Sequence, residues 1–245
     1  MKYEPLVIAA DSHGDQEDPE TRAALMAFNR DFKPKIRVHL GDAFDFRNLR
    51  RGASDEEKAS SLADDWEMGT EFVRDFFDGG KQNYLLYGNH DDRLWRFSRS
   101  ATGLLRDYAN DGIKRVESLM TRAKVKTLPY DARLGVLRLG QLKMIHGYFA
   151  GIGAARRHAI SYGNVLFGHT HNVDTSALES DNPSEARGVG CCCKIDMDYN
   201  QHMPAKLRHQ NAWMYGYLFE DGSYQLFQAK KVNGHFYAAS NIKTY

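Results

Sequence analysis

The stretch Tyr84-Leu85-Leu86-Tyr87-Gly88-Asn89-His90-Asp91 narrows what this chain can become more than any other. Four apolar residues read as a short buried strand, and a glycine stops it. Three side chains able to bind a metal or move a proton follow. Polar groups taken out of water need partners, because each one left unpaired costs roughly 2–7 kcal/mol. A buried strand that delivers Asn-His-Asp therefore requires complementary groups elsewhere in the chain. Four other stretches offer them.

Pro5-Leu6-Val7-Ile8-Ala9-Ala10 is a continuous apolar run, the mark of a strand covered on both faces, and it ends in Asp11-Ser12-His13-Gly14. Ile36-Arg37-Val38-His39-Leu40 ends in Gly41-Asp42-Ala43-Phe44-Asp45. Residues 142–145 form the second arm of a hairpin that begins at Arg133, and they end in His146-Gly147. Asn164-Val165-Leu166-Phe167 ends in Gly168-His169-Thr170-His171.

Helical patterns lie between these strands. Asp18-Pro19-Glu20 offers an N-cap and a first-turn proline for a helix reaching about Phe32. Ser54-Asp55-Glu56-Glu57 is a capping box opening a helix that carries Ala59, Leu62, Ala63, Trp66, Val73 and Phe77 to its stop at Gly79-Gly80. Residues 91–127 read as helical, broken at Gly103 and Gly112. There Arg93, Arg96 and Arg99 alternate with apolar residues, either as a solvated basic face or as a surface for phosphate or bases. A short helix through residues 154–158 and strands at 188–195, 213–219 and 224–230 complete the reading. Asp221-Gly222 joins the last two strands as a hairpin, and residues 180–185 read as a mobile loop. No linker or repeat interrupts the pattern, so residues 1–245 are expected to form one domain.

Composition sets the outer limits. Hydrophobic residues at 42% and charged residues at 27% fit a folded globular chain and argue against long disorder. A formal net charge of +1 gives no basic field, so a nucleic-acid partner is not implied, although a local patch stays open. No run approaches the ~18–20 apolar residues that span a bilayer, so no membrane partner is expected. The N-terminal residues lack the apolar core of a signal peptide. The three cysteines are consecutive, Cys191-Cys192-Cys193, which suits neither a disulfide framework nor zinc spacing. They read as small strand residues in a reducing, cytoplasmic setting.

Five strand ends thus carry Asp11 and His13; Asp42 and Asp45; Asn89 and His90; His146; and His169 and His171. In open α/β sheets the carboxyl ends of strands are where ligands bind. Carboxylate, imidazole and amide oxygen are the ligands of a borderline divalent metal. The Asp-x-His and His-x-His spacings put both side chains on one side of an extended backbone. Each piece alone has a bland reading: a helix cap, a packed core histidine, a surface strand pair. Jointly they do not, because Asp11, Asp42 and Asp45 brought together repel unless a cation intervenes. Two divalent ions would remove that repulsion and make a catalyst.

Asp11-x-His13, Gly41-Asp42-x-x-Asp45, Gly88-Asn89-His90-Asp91, His146-Gly147 and Gly168-His169-x-His171 together resemble the full motif set of the calcineurin-like metallophosphoesterases. The resemblance covers residues 11–171 and implies an α/β fold, a four-layer αββα sandwich of two mixed β-sheets flanked by helices. It implies that Asp11, His13 and His171 hold one metal, that Asn89, His146 and His169 hold another, and that Asp42 bridges them. It makes His90 a general acid and Asp45 the residue that orients it. The implied activity is that of a metal-dependent phosphatase or phosphodiesterase. A hydroxide shared by the two metals attacks the phosphate mono- or diester, and His90 protonates the leaving group. Manganese is the expected metal, with iron, zinc, cobalt or nickel as alternatives.

Two other readings remain. One is a nuclease with the same site, favoured by Arg47, Arg50, Arg51 and the arginines at 93–99 and opposed by the near-zero charge. The other is a metal-holding scaffold without turnover, opposed by the presence of His90 and Asp45. Arg47, Arg93 and Arg96 are the candidate substrate-binding residues. Phe46 stands where protein phosphatases of the family place arginine, which weakens that branch. Lipid A precursor hydrolases carry arginine where His90 stands, which disfavours theirs. Asp91 reads as a supporting or helix-capping residue, His39 as packed in its strand, and His158, His202, His209 and His235 as without a role.

Overall fold

The computed structural model describes residues 2–179, 184–196 and 204–239. Each apolar run that ends in chemistry is a strand. β1 (Tyr3–Ala9), β2 (Ile36–His39) and β3 (Gln82–Leu86) lie side by side and parallel, with β4 (Val125–Leu128) parallel beyond β3. On the far side of β1, β10 (Ala212–Phe219) pairs antiparallel, followed by β11 (Tyr224–Val232) and β12 (His235–Phe236). This seven-stranded sheet faces a five-stranded one. The second sheet has the order β5 (Leu137–Leu139), β6 (Leu142–Ile145), β7 (Val165–Phe167), β9 (Ser184–Gly188), β8 (Thr175–Leu178), with β6 and β7 parallel neighbours.

Alternation along the strands builds the layers. Leu6, Ile8, Ile36 and Val38 point from the large sheet into a shared core with Leu142, Met144 and Leu166 of the small one. Val7 and Ala9 point the opposite way, against α1 (Pro19–Phe32) and α3 (Leu62–Phe77), through Phe28, Phe72 and Phe76. Ile145 and Phe167 turn their outer face to Ala155 and Ala159 of α6 (Ala154–Tyr162). The result is helices, sheet, sheet, helix: the four-layer sandwich expected. β1 is apolar throughout its second half because both of its faces are covered.

Several element boundaries differ from expectation. The helix opened by Ser54 is two helices, α2 (Asp55–Ala59) and α3. Ser60 is extended, and the Ser61 side chain caps α3 by accepting the Asp64 N–H at 3.1 Å. Gly103 does restart the chain, between α4 (Asp92–Ser100) and α5 (Gly103–Arg122), but Gly112 lies unbroken inside α5. Its missing side chain makes room for Leu94, whose methyl would stand 3.2 Å from a Cβ there. Residues 125–128, read as helical, form β4, where Val125 and Thr127 are β-branched. Of the expected loop at 180–185, Ser184 and Glu185 belong to β9 and the rest lies outside the described residues, as does His202. The expected strand at 188–195 begins earlier, as β9, and gives way to single bridges at Cys191 and Cys193. Among the described residues no helix is long and apolar enough to cross a membrane.

His158, read as without a role, ties α6 to the turn leaving β6. It is fully buried, its ring stacks on Phe167 at 4.3 Å, and its Nε2 accepts the N–H groups of Tyr148 (3.0 Å) and Phe149 (3.3 Å). Only a neutral imidazole offers that lone pair. Burial lowers its pKa from 6.5 to about 4. A histidine depressed in the folded state contributes stability that is complete above its unfolded pKa and lost as pH falls through the folded value. Urea denaturation is expected to show up to ~3 kcal/mol of stability lost on this account between pH 6.5 and 4. His158→Gln, which offers a carbonyl oxygen that does not titrate, should flatten that dependence. An unchanged slope in the variant would refute the assignment.

Candidate metal centre

The motif loops are joined to one another by backbone bonds before any side chain is considered. Asp11 N–H donates to Gly41 O (3.0 Å), His13 N–H to Asp42 O (2.9 Å) and Gly14 N–H to Ala43 O (3.0 Å), so the loops after β1 and β2 run together. Gly168 N–H donates to His146 O (2.7 Å), joining the loops after β6 and β7. The two sheets then meet where His169 N–H reaches both oxygens of Asp11, at 2.9 and 3.1 Å. His90 N–H donates to Asp42 Oδ1 at 2.8 Å, which brings in the end of β3.

This convergence is not made on extended backbone, as the i, i+2 spacing led us to expect. Asp11, His13, Asp42, His169 and His171 all have left-handed φ, between 53° and 65°. Each such non-glycine residue is disfavoured by roughly 1–2 kcal/mol. The chain curls at these points, and the curl aims the side chains inward. Gly88 is required for a different reason, close approach, since a Cβ there would lie 2.1 Å from Asp42 Oδ1.

Two groups of ligand atoms result. In one, His13 Nε2 and His171 Nε2 are 3.1 Å apart, with Asp11 Oδ1 at 4.0 and 3.7 Å from them. In the other, His146 Nε2 lies 3.0 Å from Asn89 Oδ1 and 3.4 Å from Asp42 Oδ2, and His169 completes a cluster with Asp42 and His146. Asp42 stands between the groups, its Oδ2 also 3.8 Å from His13 Nε2.

The donor chemistry fits divalent cations. His146 Nδ1–H is directed at Leu40 O (2.9 Å), and His13 Nδ1–H at Asp45 Oδ1 (3.3 Å). His171 Nδ1 faces Cys193 Sγ at 3.8 Å. A neutral imidazole with its proton on Nδ1 presents a lone pair at Nε2. His13 Nε2 then faces His171 Nε2, and His146 Nε2 faces two acceptor oxygens; burial disfavours a charge on His146, but Asp42 prevails and raises its pKa to about 9. Only a proton or a cation makes such contacts attractive. The charge balance agrees. Burial, reinforced by His146, holds His169 down at about 3, and burial together with His13 holds His171 well below its ordinary value, so both stay neutral, the form in which an imidazole can bind a cation. Burial pushes Asp11 up to about 7, against the pull of His146. Burial also raises Asp42, but His146 and His90 outweigh it and hold the carboxyl well below the usual range.

His90 and Asp45 stand beside these groups. His90 Nδ1 is hydrogen-bonded to Asp45 Oδ1, and its Nε2 is 4.0 Å from Asp42 Oδ2. Burial opposes ionisation of Asp45, but the bonds from His13 and His90 prevail and keep its carboxyl well below the usual range.

The three arginines part company. Arg93 is mostly buried against His90, with Nη2 3.1 Å from His90 Nε2 and Nη1 2.8 Å from Asp45 O. Arg47 is taken up by a paired contact with Asp15 and a 3.0 Å bond to Asp45 Oδ2. Arg96 is exposed and bonded to Asp92 at 2.5 Å, a contact within α4.

The site also draws on residues outside the expected ligand and proton-donor set. Asp91 takes the supporting one of its two expected roles: it stands at the N-cap of α4, but its side chain makes no capping bond. Its carboxylate crosses to the neighbouring loop and accepts the N–H groups of Asp42 (2.8 Å), Phe44 (2.9 Å) and Gly88 (2.9 Å). Asp65 of α3 accepts those of Asp45 (3.0 Å) and Phe46 (2.7 Å). Its signal was its place one turn before Gly69 on the buried face of α3. Cys193, read as a strand filler, groups with His13 and His171. Nothing in the run of three cysteines marks which one does so. His39 is packed as expected, bonded to Ser12 Oγ and to Gly41 N–H, each at 3.2 Å. His209 lies against His171, ring centroids 4.9 Å apart.

No family model matches this sequence, and no curated protein matches it significantly. Solved structures do match in shape. One superposes with a TM-score of 0.52 at 10% identity, over 94% of this chain and 99% of its own. A conserved uncharacterised protein of Streptococcus pneumoniae TIGR4, described as a predicted phosphoesterase, matches at 14% identity and TM-score 0.38, over 94% and 91% of the two chains. YfcE, a phosphoesterase from E. coli, matches at 14% identity and TM-score 0.40, over 89% of each. At such identities the likeness speaks for the fold alone. With two sheets between helices and the strand ends meeting at one point, this chain has the four-layer α/β sandwich that its motif resemblance to the calcineurin-like metallophosphoesterases implied.

Proposed function

We propose that the protein is a hydrolase that cleaves a phosphate mono- or diester with the help of two divalent metal ions. The observation that carries this reading is the convergence of buried His13, His171, His146, Asp11, Asp42 and Asn89 donor atoms in two clusters that share Asp42, directly beside a His90–Asp45 pair. Asp11, His13 and His171 would hold one ion and Asn89, His146 and His169 the other, with Asp42 between them. The ions would supply Lewis acidity and an acidified water.

The remaining roles belong to the chain. His90 donates a proton from Nε2 to the departing oxygen, and Asp45 at its Nδ1 fixes the ring. In this structure Arg93 points at that same Nε2. An anionic phosphoryl oxygen is the better partner for a guanidinium. Bound substrate would therefore draw Arg93 onto itself and free His90 to act. Arg93 is the one substrate-binding candidate of the three that we retain. Arg47 serves Asp45, and Arg96 shares Asp92 with Arg99 on a solvated face, which takes those residues away from the support for a nuclease. The complete His90–Asp45 pair weighs against a scaffold without turnover. We read residues 1–245 as one domain, acting in the reducing setting that three free, buried cysteines suit.

Chelator treatment should abolish hydrolysis of p-nitrophenyl phosphate and of its bis ester. Returning Mn should restore it and raise the melting temperature, as binding to the folded state alone must. Hydrolysis that survives exhaustive chelation would sink the proposal. His90→Ala should keep both metals by elemental analysis and lose roughly 10²–10⁴ in kcat. Asp42→Ala should lose metal. A His90→Ala variant with full turnover would remove that residue from the chemistry.

A further inference from the structure

We propose that Asp65, on the buried face of α3, is a positioning residue for the proton donor, because its carboxylate fixes the backbone from which Asp45 reaches His90. The inference rests on the hydrolase reading and deepens it. Asp65 is 2% exposed, and its two oxygens each take one backbone N–H, Oδ1 that of Asp45 and Oδ2 that of Phe46. Phe46 needs such support, since it is a bulky residue at φ 46°. An aspartate side chain is short, so the placement of the Asp45 carboxylate follows its backbone closely. That carboxylate is fully engaged. Oδ1 serves His90 Nδ1 and His13 Nδ1, and Oδ2 serves Arg47. A shift of the loop is therefore a shift at His90.

The same carboxylate reaches a second motif. A Cβ on Gly14 would lie 1.8 Å from Asp65 Oδ1, so the glycine after His13 is what lets the carboxylate in. α3 thus touches the loops after β1 and β2 through one side chain. An apolar residue at position 65 would fill the space but leave two buried N–H groups without acceptors. If Asp65 served folding alone, its loss would slow every substrate equally. A positioning role is felt only where the leaving group needs a proton.

The test uses full-length protein with Mn and two monoesters, p-nitrophenyl phosphate and an alkyl phosphate, whose leaving groups differ in their need for protonation. In Asp65→Asn the amide keeps one acceptor but turns donors toward the other N–H. We expect it to retain its metal by elemental analysis and to lose at least ~10-fold more kcat on the alkyl ester than on the nitrophenyl ester. In the His90→Ala background the same substitution should add little to that selective loss. Imidazole ¹⁵N NMR supplies a readout independent of turnover: the His90 Nδ1–H signal, identified by its absence in His90→Ala, should move in Asp65→Asn. Equal losses on both esters, full additivity with His90→Ala, or an unmoved His90 signal would overturn the proposal. Failure of both Asp65→Asn and Asp65→Ser to fold would do so too, by assigning the residue to folding. Wild-type protein inactive on both esters would count against the hydrolase reading, and the NMR comparison would still decide the place of Asp65.

Discussion

Asp42 is the point on which the two sheets agree. Its carboxylate is buried where the ends of β2, β3 and β6 meet. One oxygen is spent on the His90 N–H, and the other faces imidazoles from both halves of the molecule. A buried charge in that position is tolerable only if everything around it is fixed, because a carboxylate displaced by a fraction of an ångström loses its partners while keeping its desolvation penalty. The surrounding loops are arranged accordingly. Their backbones are bonded to one another, and the nearest glycines, Gly41 and Gly88, leave no space that a Cβ could use.

Two more buried carboxylates do the fixing without facing the ligand groups. Asp91 takes three N–H groups and Asp65 takes two, all from the loops that carry Asp42, Asp45 and Asn89. Burial pushes both carboxyls up, to about 7, against the pull of those N–H bonds. A short anion saturated by backbone donors is a rigid bracket. It offers two acceptors in one plane and leaves no rotamer freedom once both are filled. The left-handed residues at the site need brackets of this kind, since each favours relaxing to an ordinary conformation.

Much of this was legible in the chain because hydrophobic burial writes itself in runs. The unbroken apolar stretch before Asp11 and the Val-Leu-Phe before Gly168 betray strands covered on both faces. The polar residues that end them then stand out as an anomaly needing a cause. What stayed hidden depends on relations the linear order does not carry. The Ser60–Ser61 break needs knowledge of which serine turns outward. The left-handed turns at Asp11 and His171 lack the glycine that would announce them. Asp65 hides inside a helix that its aromatic neighbours explain well enough by themselves. Cys193 is indistinguishable from Cys191 and Cys192 until the chain places it against His171.

The fates of the three arginines follow from the same geometry. Arg47 and Arg93 both reach Asp45, from opposite sides: one at Oδ2, the other at the backbone carbonyl. Arg47 is already neutralised by Asp15, so its effect on Asp45 is to orient it. Arg93 has no carboxylate closer than the 3.5 Å contact with Asp45 Oδ1, and its second nitrogen rests against the imidazole of His90 at Nε2. A buried guanidinium so weakly matched is unstable relative to one that holds an anion, and burial indeed lowers its pKa. The site as folded is therefore short of one negative group at the face of His90, and a phosphate ester would supply it. The polar cost that Gly88-Asn89-His90-Asp91 first presented is thus divided between Asn89 beside His146, Asp91 bracing the loops, and His90 held ready between Asp45 and Arg93.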